Sequence, residues 1–263
     1  MYTFTGRIRF SETNPDGYLK MESLIDYFQD CSTFQSEDLG VGIEYLARKN
    51  QAWLVNAWQI DIAELPRLGT PIVTGTSPYE LRGFMGLRNF AMETEDGRRL
   101  VNANSIWSLF DMEKGMPARI DDKITDAYQL YPKFDMEYLP RKIRIPKEGG
   151  EAKAGILITE QFLDSNHHVN NGQYVRLAMA YGPEDQDIAR IRVEYKKQAY
   201  LGDTIVPVVY GGSAIGLDAV NQSMESDGMS AAGETDGLDA KTTLVCLNNK
   251  DGETFAAVEF TAR

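Results

Sequence analysis

The chain has 263 residues, of which 43% are hydrophobic and 10% aromatic. This is enough apolar material for one large domain or two of about 120–130 residues each. The formal net charge of −12 argues against nucleic-acid binding, because a protein that neutralises phosphates needs a basic surface. No apolar run approaches the roughly 20 residues that cross a bilayer, and no signal or transit peptide is visible. We therefore expect a cytoplasmic protein with no membrane partner.

The two cysteines, Cys31 and Cys246, lie far apart in the sequence. They form neither a CxxC pair nor a spacing typical of Cys/His metal sites. We expect two reduced thiols in the core, and neither a metal nor a cofactor.

The first half of the chain predicts a strand, two helices and four further strands. Tyr2 to Phe10 alternate in the manner of an opening strand. A helix with one buried face is predicted by the spacing of five apolar residues: Met21, Leu24, Ile25, Phe28 and Cys31. A short helix is expected at 43–49. Strands are expected at residues 53–62, 70–81, 87–94 and 99–111, between turn signals.

Residues 132–150 contain three prolines and a Gly-Gly pair, which predicts a linker between domains at 1–131 and 151–263. The second domain is expected to contain a strand at 154–160, a helix at 171–181, and strands at 190–199, 204–211, 241–248 and 254–261. Between residues 214 and 240 lie six acidic residues and no Lys or Arg. We interpret this stretch as a loop between strands.

The two halves resemble each other in sequence as well as in element order. Residues 16–25 align with 166–175 at an offset of 150, and residues 68–72 align with 201–205 at an offset of 133. Two copies of strand, helix and antiparallel sheet predict an α+β fold in which a curved sheet wraps a helix twice in one chain.

The residues with the clearest chemistry lie at 163–174. His167 and His168 are the only histidines in the chain. Asp164, Asn166 and His168 alternate, so on extended backbone they would project to one side. A helix is predicted to begin directly afterwards, and its unpaired N–H groups, around residues 170–172, favour developing negative charge. Such a cluster can hold a water molecule and stabilise an oxyanion.

The same residues also have a purely structural interpretation. Asp, Asn and Ser before a helix are common capping and turn residues. The aligned positions of the first copy hold Asn14, Asp16 and Tyr18, so the turn does not require an imidazole. The comparison between the copies therefore favours a functional role for the second cluster.

The run Asp-x-Asn-x-His-Val-Asn-Asn-x-x-Tyr at 164–174 resembles the signature of acyl-acyl-carrier-protein thioesterases. These are tandem hotdog enzymes of plant plastids and bacteria. Weaker matches at 39–42, 53–55, 66–69, 105–107 and 193–197 extend the resemblance over most of the chain. The resemblance implies a tandem hotdog fold and makes Asp164, Asn166 and His168 catalytic. The lack of a transit peptide favours a bacterial member.

One departure from the plant enzymes affects the mechanism. Where they have Glu-Cys, this chain has Gln198-Ala199, so no cysteine nucleophile is available there. Gln198 can hold a water molecule but cannot act as a base; Asn170 and Asn171 are possible supporting residues. The base must come from Asp164 or His168, and a covalent anhydride through Asp164 is a competing route.

The resemblance implies hydrolysis of fatty acyl-acyl carrier protein, which ends chain elongation, with acyl carrier protein as partner. The alternatives are an acyl-CoA thioesterase, a non-catalytic acyl-binding hotdog protein and, with least support, a hotdog dehydratase. A monomer and a homodimer are both compatible with two fused units.

The implied function needs an apolar tunnel for the acyl chain and a basic surface for the carrier protein. The tunnel candidates are Phe28, Trp53, Trp58, Phe84, Met85 and Trp107. The clusters are Arg141, Lys142, Arg144 and Lys147, and Arg190, Arg192, Lys196 and Lys197.

Overall fold

A computed structural model describes residues 1–164, 167–211 and 241–263 of the chain. In chain order the elements are β1 (Tyr2–Arg7), α1 (Met21–Asp38), α2 (Ile43–Ala47), β2 (Gln51–Ile62), β3 (Pro71–Arg82), β4 (Met85–Glu93), β5 (Arg99–Asp111), β6 (Met116–Pro117), α3 (Asp122–Ala127), β7 (Glu151–Ala152), β8 (Ile156–Leu157), α4 (Asn171–Met179), β9 (Ile188–Tyr195), β10 (Thr204–Gly211), β11 (Thr242–Asn248) and β12 (Thr254–Ala262). No helix in these ranges is long and apolar enough to cross a membrane.

The strands form one antiparallel sheet in the order β1-β3-β4-β5-β2-β9-β12-β11-β10-β7. Strands of the first half and of the second half meet at a single seam, where β2 pairs with β9. The seam runs from Ala57 opposite Glu194 to Asp61 opposite Arg190. The fold belongs to the α+β class predicted from the sequence.

Helix α1 buries the face that its apolar spacing predicts. Met21, Leu24, Ile25, Phe28 and Cys31 are all fully buried. The Phe28 ring packs on the indole of Trp58 and the ring of Phe90, with centroids 6.1 and 5.3 Å away. Burial of each large side chain of this kind stabilises a fold by about 1.5–3 kcal/mol. The same helix also packs against α4 of the second half.

The predicted sequence repeat is confirmed by the backbone. Equivalent hydrogen bonds occur in the two halves at the two offsets. At offset 150, the Asn14 N–H donates to Tyr18 O and the Asp164 N–H to His168 O, both at 2.8 Å. Where the two offsets meet, the Gly69 N–H donates to Ile8 O at 2.9 Å and the Gly202 N–H to Ile158 O at 3.0 Å.

Residues 132–150 contain no helix or strand, yet they are held against the sheet by buried polar side chains. Asn89 accepts from the N–H of Phe134 at 3.1 Å, and Gln59 accepts from that of Leu139 at 2.9 Å. The carboxylate of Glu194 accepts from the N–H of Ile143 at 3.1 Å. This segment is a strap across the sheet, and the domain limits at 131 and 151 stay a prediction.

Three predicted elements need comment. The strand at 154–160 is wrong, because only Ile156–Leu157 is strand and a 3₁₀ turn begins at Glu160. Gly155 lies close to β10, and a Cβ there would stand 2.9 Å from the Thr204 methyl group. Strand β9 ends at Tyr195 rather than 199, since the next two N–H groups both donate to Phe255 O. The acidic stretch at 214–240 lies outside the described residues.

Candidate functional site

Backbone hydrogen bonds form a tight turn at Asp164. The Asp164 N–H donates to the His168 carbonyl at 2.8 Å, and the His167 N–H donates to the Asp164 carbonyl at 3.0 Å. His167 has a φ of 62°, in the left-handed region, where the first copy has Gly17 at 80°. The turn brings two of the predicted residues together: the backbone N–H of His168 donates to Asp164 Oδ1 at 3.4 Å.

The predicted site residues differ in how the structure places them. His167 is exposed and His168 is half-buried. Asn166 lies outside the described residues. The roles of Asp164, Asn166 and His168 in catalysis remain predictions.

Segment 198–200 lies beside the turn. The Val169 N–H donates to Ala199 O at 3.0 Å, and the Ala199 N–H donates to the Tyr174 hydroxyl at 2.8 Å. The ring of Tyr200 meets the imidazole of His168 edge-on, with centroids 5.0 Å apart. The Tyr200 hydroxyl donates to Gln198 Oε1 at 3.4 Å. Tyr200 therefore connects Gln198 with His168.

Helix α4 begins at the end of the turn, and its cap decides which N–H groups remain available. The Asn170 side chain accepts from the Gly172 N–H at 2.7 Å, while its own N–H donates to Phe162 O at 2.9 Å. Among the three N–H groups expected at 170–172, only that of Asn171 has no acceptor in the described parts of the chain. Asn170 is thus a helix cap, and Asn171 offers the donor.

The first turn of α4 packs on α1 of the other half. Asn171 Nδ2 donates to Gln29 Oε1 at 2.7 Å, and the Tyr195 hydroxyl donates to the Asn171 carbonyl at 3.0 Å. Gly172 permits this approach, because a Cβ at that position would stand 3.2 Å from Asp26 Oδ1. Asn171 is therefore held by α1 through Gln29 and by β9 through Tyr195.

Asp26 is a partly buried carboxyl group at this helix contact. Burial, and after it the neighbouring carboxylates of Asp30, Glu22 and Glu12, raise its pKa to about 6. Within the described ranges it accepts no hydrogen bond. The site therefore carries an acidic group that the sequence pattern did not single out.

A cavity of about 270 Å³ lies in the first half, between α1, α2 and strands β2–β5. Its lining is mainly apolar and aromatic, with polar groups from α1: Ser32, Thr33, Ser36, Gly42, Ile43, Leu46, Ala47, Gln51, Ala52, Trp53, Pro78, Leu81, Gly86, Leu87, Arg88, Trp107 and Tyr128. Ser32 and Thr33 follow Gln29 by one helical turn, about 5 Å along the axis. The cavity therefore begins close to the contact between α1 and α4.

The six candidate tunnel residues divide into three groups. Trp53 and Trp107 line the cavity. Phe28 and Trp58 are core residues, and Phe84 is exposed. Met85 is half-buried and does not line it.

Both cysteines are free and buried, as the sequence predicts. Burial raises the pKa of each thiol to about 12, which removes the thiolate that nucleophilic catalysis needs.

Sequence reasoning missed Gln29, Asp26, Tyr195 and Tyr200. Of these four, only Tyr200 could have been found from the sequence, because the repeat alignment at offset 133 places it opposite Arg67. In the first copy Arg67 stacks on the Tyr18 ring at 4.3 Å, just as Tyr200 packs on His168 in the second. Gln29 and Asp26 depend on contacts between the halves, and Tyr195 depends on a contact between β9 and α4; a repeat alignment shows neither kind of contact.

Comparison with known proteins identifies relatives of the chain. Residues 1–128 match the family model of the acyl-ACP thioesterase N-terminal domain. A chloroplastic acyl-[acyl-carrier-protein] hydrolase of Cuphea viscosissima is 21% identical over 212 residues, which cover 73% of this chain and 50% of that protein. The match thus spans about half the length of that relative.

Two solved structures share the fold over nearly the whole chain. An acyl-ACP thioesterase from Bacteroides thetaiotaomicron superposes with a TM-score of 0.80 at 20% identity, covering 99% of this chain and 97% of that one. The 12:0-ACP thioesterase from Umbellularia californica gives 0.73 at 15% identity, covering 100% and 96%. These likenesses confirm the predicted tandem hotdog fold.

Proposed function

We propose that this chain, whose residues 1–128 match the family model of the acyl-ACP thioesterase N-terminal domain, hydrolyses fatty acyl-acyl carrier protein to a free fatty acid and the carrier protein. The observation that carries the proposal is the junction of three features at one place. The turn with Asp164 and His168 leads into the N-terminus of α4, and α4 contacts α1 beside the apolar cavity.

In this proposal the thioester carbonyl lies at the N-terminus of α4. The Asn171 N–H polarises the carbonyl, helped by the positive end of the helix dipole. A water molecule adds its oxygen to the carbonyl carbon and gives its proton to His168 or to Asp164. The carbon–sulfur bond then breaks, and the thiolate of the carrier takes up a proton. The anhydride route through Asp164 stays open as an alternative.

The remaining predicted residues have supporting roles in this scheme. Asn166 is proposed to orient Asp164, and Gln198 to hold the water through its amide. The fatty chain is proposed to occupy the cavity between Trp53 and Trp107. These surfaces supply the mainly apolar contact that acyl chains need.

The carrier protein is expected to be acidic, so docking requires a local basic surface. Arg190, Arg192 and Lys197 are paired with carboxylates of this chain, which reduces their attraction for an acidic partner. We propose the exposed Arg141, Lys142 and Lys147 of the strap as the docking surface. The bacterial and cytoplasmic setting and the oligomeric state stay predictions from the sequence.

The decisive test is thiol release from acyl-carrier-protein and acyl-CoA substrates of several chain lengths. His168→Ala is expected to lower kcat/KM about a hundredfold or more. His167→Asn is the matched control, since this exposed neighbour adopts a left-handed conformation that Asn tolerates.

Other results would point to the alternatives. Acyl binding by the wild type without thiol release would indicate a non-catalytic acyl-binding protein. Full activity of a folded His168→Ala variant would assign the base to Asp164. Equal rates on both carriers that do not respond to salt would favour an acyl-CoA thioesterase.

A further inference from the structure

Asn171 is the most firmly held residue at the N-terminus of α4. Its side-chain amide donates to Gln29 Oε1 at 2.7 Å, and its carbonyl accepts from the Tyr195 hydroxyl at 3.0 Å. Its N–H group finds no acceptor in ranges 1–164, 167–211 and 241–263. A fixed peptide with an unused N–H at a helix N-terminus is well suited to bind developing negative charge.

Gln29 offers a second donor beside the first. Its side-chain oxygen, Oε1, accepts from Asn171 Nδ2, which leaves the Nε2 group of the same amide as a further donor. In the described part of the chain Nε2 donates to no acceptor. Gln29 is half-buried, and the next turn of α1 lines the cavity through Ser32 and Thr33. The amide therefore stands between the start of α4 and the cavity.

We propose that Gln29 is a catalytic residue whose Nε2 group and the Asn171 N–H form a two-donor oxyanion hole for thioester hydrolysis. This inference rests on the proposed function. When water adds to the carbonyl carbon, the electron pair of the C=O π bond moves to the oxygen. The resulting oxyanion accepts one hydrogen bond from each half of the molecule. When the intermediate collapses, the C=O bond reforms and the thiolate leaves.

The contact between α1 and α4 holds both proposed donors in place before the reaction. A donor held in position before reaction stabilises the transition state without the cost of reorienting solvent. Removal of one oxyanion-hole donor typically lowers kcat about 10²–10³-fold. If Gln29 only connected the two helices, a variant that keeps its hydrogen bond to Asn171 would not lose kcat.

Two substitutions separate these roles. Gln29→Glu keeps an oxygen that accepts from Asn171 Nδ2 but removes the Nε2 donor. Gln29→Met removes both. We expect each variant to lose about 10²-fold or more in kcat, with KM little changed and with Gln29→Glu melting like the wild type.

Gln173→Glu is the matched control, because it adds a negative charge to the first turn of α4 without touching the Gln29–Asn171 bond. It is expected to keep most of the activity. Wild-type kcat in Gln29→Glu, with a loss only in Gln29→Met, would overturn the oxyanion hole and leave a structural contact. An equal loss in Gln173→Glu would also overturn it, since added charge would then suffice. A wild type that releases no thiol would refute the proposed function itself.

Discussion

Replacing Asp26 by Asn is expected to stabilise the protein at neutral and alkaline pH. The pKa of this carboxyl rises from 3.8 to about 6, first through burial and then through the nearby carboxylates of Asp30, Glu22 and Glu12. A tenfold change in proton affinity corresponds to about 1.4 kcal/mol, so ionised Asp26 would cost the fold about 3 kcal/mol. Because the group is partly exposed, water screens this cost, and we expect about 1–2 kcal/mol.

Proton linkage gives the direction in which the stability changes with pH. The folded pKa lies above the unfolded one, so between about pH 4 and pH 6 the folded chain binds more protons than the unfolded chain. The contribution of Asp26 to stability therefore falls as pH rises through this window, and the loss is complete above it. Asp26→Asn removes the ionisable group. Its gain over wild type should be largest at pH 8, clearly smaller at pH 4.5, and absent only below about pH 3, where Asp26 is protonated in both states.

Urea unfolding followed by tryptophan fluorescence at both pH values gives the required free energies. Asp126→Asn, at an exposed position of α3, serves as the matched control for the loss of one negative charge. A gain at pH 8 that Asp126→Asn reproduces would assign the effect to overall charge. No gain at pH 8, or the same gain at pH 4.5, would refute the reasoning about Asp26.

Three further outcomes test the cavity, the helix contact and the thiols. Leu87→Trp on β4, which fills the cavity, should shift activity towards shorter acyl chains. Leu54→Trp on β2, outside the cavity lining, should leave chain-length preference unchanged in the same thiol-release assay. Gly172→Ala should lower the free energy of unfolding by about 1 kcal/mol, because its methyl group would crowd the backbone of α1. An increase would show that the higher helix propensity of Ala outweighs this crowding. Thiol alkylation of the folded enzyme should not reduce activity, because Cys31 and Cys246 are buried and protonated; rapid inactivation with labelling at either one would contradict this.

Local patterns predicted those parts of the fold that depend on local periodicity. Helix α1 was predictable because five apolar residues recur at helical spacing and all five are buried. The strand at 154–160 was not, because its sequence does not show that two short pieces share the edge of β10 around Gly155. Pairing across a sheet edge is a tertiary property, and propensity gives only a weak indication of it.

The candidate site likewise contains residues that a local motif reveals and residues that only tertiary contacts bring together. Asp164 and His168 are four residues apart, so a motif can reveal them. Gln29 and Asn171 are separated by 142 residues, and their hydrogen bond exists only because α1 and α4 pack together. No spacing rule within one segment can find such a pair.

The two copies of the turn show how one duplicated unit has come to supply two different components. Both keep the same backbone hydrogen bonds, so the turn conformation itself is not the source of the proposed chemistry. In the first copy the aligned Asn14 side chain donates to Asp185 at 2.9 Å, and Arg67 covers the Tyr18 ring. Those positions are occupied by structural contacts, while helix α1 behind them provides the cavity wall.

This division has a consequence for the proposed enzyme. The second copy contributes the turn and the Asn171 N–H, whereas the first contributes Gln29 and the lining around Trp53. Among the residues that the structure describes, neither half alone holds both the proposed acyl cavity and the full set of polar groups. The seam between β2 and β9, together with the contact of α1 with α4, is therefore as necessary to the proposed reaction as the motif itself. A chain with the motif but a displaced α1 would bind the thioester poorly and lose half of its oxyanion hole.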